Sequence, residues 1–257
     1  MEHPRGYVLM SVRKLAKRLK TDPATMVRIV RAMRFSSYRE FQHYLHELSI
    51  VMATSFETMQ DAPARVATVQ GLLRVSLNQD RSNLEGLART IESRPINTLV
   101  RRIYGAKQIL VVGGDLAASL ALFLEHHLMM LGLPVTSAIY PAAVVHKARF
   151  LTKHDVVIAI SFHRGLRMTV EGLRQAHDNG VYCVGITDSV VSPLQRFADE
   201  CFLTSVEAPS FGASYVAPMA FMNMLLVACA NHRRARTMRI LKQVEDEQRY
   251  GFRWFEE

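Results

Sequence analysis

Arginines alternate with small and apolar residues in the stretch TDPATMVRIVRAMRFSSYREF, residues 21–41. A guanidinium group can pair with O6 and N7 of guanine, and small side chains allow close approach or contact with a thymine methyl group. Other basic side chains nearby suit phosphate oxygens. The candidate DNA contacts are Ala24, Thr25, Arg28 and Arg31, with Lys14, Lys17 and Arg39 facing phosphates. The alternative is a solvated basic face on an ordinary helical bundle.

A second set of polar residues follows short apolar runs in the C-terminal half of the chain. In parallel sheets, ligands bind beyond the carboxyl ends of the strands and near helix N-termini. The candidate ligand-binding residues in these loops are Gly113, Gly114, Asp115, Ser161, His163, Arg164, Arg167, Thr187, Asp188, Ser189 and Ser192. The two arginines suit a phosphate or a carboxylate, although exposed loop charges are an equal alternative. For residues 187–192, the alternative is a turn and helix cap before Pro193.

The positive charge of the chain is concentrated at its N-terminus. The formal net charge is +9, and residues 1–48 contribute +6 of it, with ten Lys or Arg against four acids. This asymmetry favours a localised polyanion contact over a diffuse solubility charge. The three cysteines stand singly, which indicates thiols in a reducing compartment and no metal site. The chain has no signal-peptide pattern, so we expect a cytoplasmic protein without a membrane span or cofactor.

Three short helices are predicted to position the basic residues. Ser11 can cap a first helix, and Asp22 can cap a second one that has Pro23 at its first position. Ser37 and Glu40 form a capping box for a third. On the second helix one face is apolar, with Met26, Val27, Val30 and Met33. This arrangement matches a helix-turn-helix, in which the second helix enters the major groove N-terminus first.

Five short apolar runs alternate with helical stretches beyond residue 104. They are QILVVGG, PVTSAIY, DVVIAIS, VYCVGIT and ECFLTS. Such β-branched runs are typical of a parallel sheet that is covered on both faces, so the second half is predicted to be a doubly wound α/β domain. Residues 49–104 are predicted to form a helical connector with possible dimer contacts. The C-terminal tail begins with a basic run and continues with Met238, Leu241 and Val244 at helical spacing. This pattern favours a dimer-packing helix, and the alternative is a second DNA contact.

Two segments of the sequence resemble the two halves of one family. The stretch MSVRKLAKRLKTDPATMVRIVRAMRFSSYREFQ is similar to the N-terminal domain of RpiR/MurR bacterial transcription regulators. The segments DVVIAIS and VGITDSVVSPLQRFAD resemble the sugar isomerase (SIS) domain that follows it. The resemblance implies a helix-turn-helix domain at 1–48 without the family's first helix, a connector at 49–104, a SIS domain at 105–232 and a helical tail at 233–257.

The resemblance implies a DNA-binding transcription regulator that acts as a homodimer or homotetramer on a palindromic operator. Its SIS domain would bind an anionic metabolite, a sugar phosphate or a sugar acid. The family's loop S-x-S-G-x-T-x-E is here SFHRGLRMT, with Leu166 and Met168 at the Thr and Glu positions, and the first loop lacks its serine. No carboxylate replaces Met168, so no enzyme activity is expected. The alternatives are a SIS-type isomerase or lyase with a helical N-terminal extension and a SIS-type interaction module.

Overall fold

The computed structural model describes residues 5–8, 10–51, 54–61 and 68–249. The described part of the chain contains no helix that is long and apolar enough to cross a membrane.

Four helices form the N-terminal domain: α1 (Arg5–Val8), α2 (Val12–Arg18), α3 (Pro23–Ala32) and α4 (Tyr38–Val51). The predicted caps are present, since Ser11 Oγ accepts the Lys14 N–H and Asp22 Oδ1 accepts the N–H groups of Ala24 and Thr25 at 2.9 Å. Of the apolar residues predicted on one side of α3, Met26 and Val30 are buried and Val27 is half-buried, whereas Met33 is 52 % exposed. The core of this domain consists of Leu15, Ala16, Met26, Val30 and Phe41.

The family resemblance implies a domain without the family's first helix. The structure has a single helical turn, α1, before the helix-turn-helix. The Gln42 amide donates to the carbonyl oxygens of Val8, at 3.2 Å, and Met10, at 2.8 Å. The Tyr38 hydroxyl also donates to the Met10 carbonyl oxygen at 2.8 Å. These bonds hold the N-terminal segment on α4, and Tyr7 packs against the small core.

Three helices connect this domain to the sheet: α5 (Ser55–Asp61), α6 (Val69–Thr90) and α7 (Ser93–Gly105). Thr68 caps α6 by accepting the Gly71 N–H. Leu87 of α6 and Leu99, Val100 and Ile103 of α7 are buried against the sheet domain. The end of α6 and helix α7 are therefore packed on the second domain.

Five parallel strands form one sheet in the order β2-β1-β3-β4-β5. They are β1 (Ile109–Gly113), β2 (Val135–Ala138), β3 (Val156–Ile160), β4 (Tyr182–Thr187) and β5 (Glu200–Leu203). Each lies inside one of the five predicted runs. Because the strands are parallel, the loops after β1, β3 and β4 leave the same edge of the sheet.

Helices cover both faces of the sheet. The helices of this domain are α8 (Ala117–Met130), α9 (Pro141–Ala148), α10 (Arg167–Asp178) and α11 (Val216–His232), with a short 3₁₀ helix at Pro193–Arg196, and α12 (Arg234–Arg249) follows α11. Helices α7, α8 and α11 pack on one face, and α9 and α10 on the other. The prediction of a helical domain followed by a doubly wound parallel sheet is confirmed. Of the cysteines, Cys183 and Cys229 are buried and Cys201 is half-buried.

Candidate nucleic-acid interface and effector pocket

A chain of hydrogen bonds connects Arg28, in the middle of α3, to the cap at the start of that helix. The Thr25 hydroxyl donates to Asp22 Oδ2 at 2.5 Å, and Arg28 Nη2 donates to Thr25 Oγ1 at 2.9 Å. Bonds from the Thr25 hydroxyl and backbone N–H hold the pKa of Asp22 below its usual value. The cap of the helix thus also draws the Arg28 guanidinium toward the N-terminal end of α3, the end that a helix-turn-helix presents to DNA.

The remaining candidates for DNA contact lie on the solvent side of the same domain. Thr25 is half-buried, and all the others are exposed. Ala24 and Arg31 belong to α3, Lys14 and Lys17 to α2, and Arg39 to the first turn of α4. The apolar faces of these helices are turned to the small core, so the exposed side of the domain is basic.

A cavity of about 800 Å³ lies at the carboxyl edge of the sheet. Its walls come from the loops after β1 and β3, from the start of α5, and from the 205–215 loop (residues 205–215), which joins β5 to α11. We call it the effector pocket. Of the predicted ligand-binding residues, its lining contains Gly114, Asp115, Ser161, His163 and Arg164.

The side chains of Asp188 and Ser161 hold the loop after β3 through hydrogen bonds. Ser161 is buried, and its Oγ accepts the Leu166 N–H at 2.8 Å. His163 has a left-handed backbone with φ of 56°, and its N–H donates to Asp188 Oδ1 at 2.8 Å. Its Nδ1 lies 2.9 Å from Asp188 Oδ2, and the Asp188 side chain is 7 % exposed. These bonds place the His163 ring and Arg164 at the pocket.

Apolar side chains cover the first loop. A Cβ on Gly114 would overlap Leu166 Cδ2 and lie 2.8 Å from Met168 Cε. Gly113 is equally confined, because a Cβ there would lie 2.7 Å from the Ala117 carbonyl oxygen of α8. Leu166 and Met168 therefore occupy the space above Gly114, on the side where the resemblance places a threonine and a glutamate.

The two serines after β4 bond to the backbone of their own turn. Thr187 is buried, and its carbonyl oxygen accepts the Thr204 N–H at 2.8 Å. Ser189 Oγ accepts the Val191 N–H, and Ser192 Oγ accepts the Leu194 N–H as the cap of the 3₁₀ helix. Neither serine belongs to the pocket lining. The turn and the cap weighed as an alternative from the sequence are present here.

Arg167 is separated from the other candidates. It begins α10 and lines a different cavity of about 710 Å³ between α9 and α10. Arg164, which is exposed, is the arginine that lines the effector pocket. The two arginines of one loop thus face different cavities.

Several residues of the pocket lining come from outside the strand loops in which the sequence places the ligand-binding residues. Thr54, Ser55 and Thr58 reach the pocket from the start of α5, and Glu207 and Tyr215 from the 205–215 loop. These positions are far from the strand loops in sequence, and no motif marks them.

The pKa of Tyr215 is shifted by its surroundings in the pocket. Burial, followed by the nearby charges of Asp188 and Asp115, raises its pKa to about 12. Its ring meets Phe162 edge to face at 5.3 Å. The phenol is therefore a neutral hydrogen-bonding group in the pocket. Among the described residues, no three His, Cys, Asp or Glu side chains are grouped so that they could hold a metal ion.

Residues 102–228 match the SIS domain family. An HTH-type transcriptional regulator of Haemophilus influenzae is 25 % identical over 193 residues, which are 74 % of this chain and 66 % of that protein. The chain thus spans about two thirds of the length of this relative. Its name supports the regulator interpretation over the isomerase or lyase alternative.

Two solved structures extend the comparison. The sugar isomerase domain of an RpiR transcription factor from Sphaerobacter thermophilus is 30 % identical, with a TM-score of 0.64, over 68 % of this chain and 97 % of that chain. The Vibrio vulnificus NanR protein, solved in complex with ManNAc-6P, has the same fold, with 18 % identity and a TM-score of 0.65 over 96 % of this chain and 89 % of that one. The chain therefore belongs to the RpiR/MurR family of SIS-domain transcription regulators.

Proposed function

We propose that this regulator binds a palindromic operator through α3 and releases or engages it when an anionic metabolite occupies the effector pocket. The observation that carries the proposal is the combination, in one chain, of an exposed basic helix whose Arg28 is oriented by its own cap and a cavity at the carboxyl edge of a SIS sheet. The effector class is a sugar phosphate or a sugar acid. The complex of Vibrio vulnificus NanR with ManNAc-6P supports this class.

The anionic group of the effector is expected to bind near Arg164. Leu166 and Met168 cover Gly114, so apolar side chains stand at the first loop, whereas the Arg164 side chain is part of the pocket lining. A guanidinium group is well suited to a phosphate or carboxylate. The Tyr215 hydroxyl and the hydroxyls of Ser55 and Thr58 can then bind sugar hydroxyls.

A palindromic operator requires at least two copies of the chain. Helix α6 offers a face for self-association, because one side of it exposes large apolar residues. These are Val69, Leu72, Leu73 and Leu77, which are 53–73 % exposed, and Phe211 of the 205–215 loop extends the patch at 74 %. Apolar patches of this kind mark interaction sites on soluble proteins. A homodimer, or a homotetramer built from it, in the cytoplasm is the proposed assembly.

Regulation requires the effector to prefer one of two arrangements of the paired DNA-binding domains. A ligand that binds both arrangements equally shifts nothing. A coupling free energy of about 1–3 kcal/mol between the effector and the operator gives a useful switch.

Selection of bound fragments from random double-stranded DNA tests the proposal. The selection is done near physiological salt, where non-specific phosphate binding is weak. We expect a motif with two-fold symmetry. Recovery of no motif, together with turnover of a phosphosugar, would instead favour the isomerase or lyase alternative.

The selected operator then allows screening of sugar phosphates and sugar acids for a change in DNA affinity. Arg164→Ala should weaken that response and leave ligand-free operator binding unchanged. Arg167→Ala is the matched control, because Arg167 comes from the same loop but lines the other cavity. An Arg164→Ala protein with a normal response would mean that the anion binds elsewhere.

A further inference from the structure

The 205–215 loop has its two ends joined by a backbone hydrogen bond, and it lies between two cavities. The Ser214 N–H donates to the Val206 carbonyl oxygen at 3.0 Å, which brings the two ends of the loop together. Glu207, Gly212 and Tyr215 line the effector pocket. Pro209, Ser210, Phe211 and Ser214 line a groove along α6, and Ala208 and Ala213 line both cavities. The loop thus separates the effector pocket from the groove along helix α6.

One turn of α6 holds this loop through four side-chain hydrogen bonds. Asn83 makes two of them, because its Nδ2 donates to the Glu207 carbonyl oxygen at 2.8 Å and its Oδ1 accepts the Ser205 hydroxyl at 2.9 Å. The Ser214 hydroxyl donates to Asp80 Oδ1 at 2.5 Å. The Gln79 amide donates to the Glu207 carboxylate at 3.1 Å and also to Asn83 Oδ1 at the same distance.

Asn83 is the centre of this network. It is 3 % exposed, and it is the one α6 side chain in the network that bonds to both the Ser205 hydroxyl and the Glu207 backbone. A buried amide whose donor and acceptor are both satisfied specifies one arrangement strongly, because leaving either group unpaired is costly. Displacement of the loop therefore has either to move α6 with it or to break these bonds.

We propose that Asn83 is a positioning residue that transmits occupancy of the effector pocket to helix α6. The proposal rests on the proposed function, in that the pocket is taken to bind an effector. A ligand that displaces Glu207 or Tyr215 moves the 205–215 loop, and Asn83 passes this movement to α6. Since α6 also carries the apolar patch proposed for self-association, the same movement changes how two copies pair.

The test uses a substitution in place of the unidentified effector. Thr58→Trp places a large side chain on α5, at the wall of the pocket, without altering the loop or α6. Amide hydrogen exchange of the full chain then reports the loop and α6 separately. We expect Thr58→Trp to change exchange in both regions by about threefold to tenfold, the ratio that corresponds to the net contribution of one hydrogen bond.

Asn83→Asp keeps the shape of the side chain but removes the donor to the Glu207 carbonyl. In this background, Thr58→Trp should still change exchange in the loop and should change it less in α6, because the bonds of Ser205, Ser214 and Gln79 remain. Asn78→Asp is the matched control, because it makes the same change at an exposed position of α6 and should leave both responses intact. If Asn83→Asp fails to fold, Ser205→Ala removes a single bond of the network and should reduce the α6 response.

Two results would overturn the inference. One is an α6 response to Thr58→Trp that is as large in the Asn83→Asp protein as in the parent, and the other is a parent α6 that does not respond. A purely structural role for Asn83 would change basal exchange but not the dependence on Thr58→Trp. The experiment needs neither operator nor effector, so a positive result beside a failed DNA selection would refute the proposed function alone.

Discussion

Arg28→Ala should reduce specific operator binding and leave non-specific binding nearly unchanged. The structure holds the Arg28 guanidinium 2.9 Å from Thr25 Oγ1, near the N-terminal end of α3, so little side-chain freedom remains to be lost on binding. A bidentate arginine–guanine pair contributes about 1–3 kcal/mol of discrimination. Because 1.4 kcal/mol corresponds to a factor of ten, Kd for the selected operator should rise by roughly 5-fold to 150-fold per copy.

Fluorescence anisotropy with the selected operator and with a scrambled duplex measures both affinities across a salt series. Arg34→Ala is the matched control: it removes the same charge from an exposed residue just beyond the C-terminal end of α3. It should weaken both duplexes equally, by a small factor. Equal losses for Arg28→Ala on the two duplexes would refute the argument that Arg28 contacts a base and would reduce it to a phosphate contact.

Three further predictions concern phosphates, packing and pH. Lys17→Ala should weaken binding to all sequences alike and lower the salt slope by about one, as measured in the same titrations. Gly113→Ala should cost about 1–3 kcal/mol in urea unfolding, and Gly114→Ala less, because the first new Cβ meets the backbone of α8 whereas the second meets side chains that can rotate. Acidification below about pH 4 should remove the stabilisation by Asp22 and Glu40, whose pKa values are both lowered by hydrogen bonds in the folded state, since such stabilisation is present above the ordinary carboxyl pKa and lost as pH falls. The difference between circular dichroism melts of Asp22→Asn/Glu40→Gln and of the parent should shrink as the pH falls from 7 to 3, and a constant difference over that range would contradict this.

The N-terminal domain was predictable because its signals are local. The Asp22 cap and the Pro23 start fix where α3 begins, and the period of its apolar residues fixes the side that is buried. The strands were predictable for the same reason, since each is a short β-branched run. What these signals left out is the Asp22–Thr25–Arg28 chain of hydrogen bonds, which depends on side-chain rotamers.

The effector pocket was only partly predictable. The rule for the carboxyl edge of a parallel sheet found Asp115, His163 and Arg164, because it needs only the strand ends. The same rule also selected Ser192, which lies outside the pocket lining and caps the 3₁₀ helix. It did so because serine suits both helix capping and ligand binding. It missed Tyr215, since nothing in the local sequence indicates that the residues before α11 fold back over the first loop.

The position of α5 explains why a pocket of this shape suits a regulator. Helix α4 of the N-terminal domain ends at Val51, and the lining of the pocket begins at Thr54. A ligand that bonds to Thr54, Ser55 or Thr58 therefore holds a segment only a few residues from the helices that are proposed to contact DNA. On the opposite wall, the 205–215 loop connects the same cavity to α6. An effector that binds between these two walls contacts both α5 and the 205–215 loop. Its binding free energy can therefore depend on the position of the N-terminal domain relative to the sheet domain. Coupling between effector and operator requires such a difference in affinity.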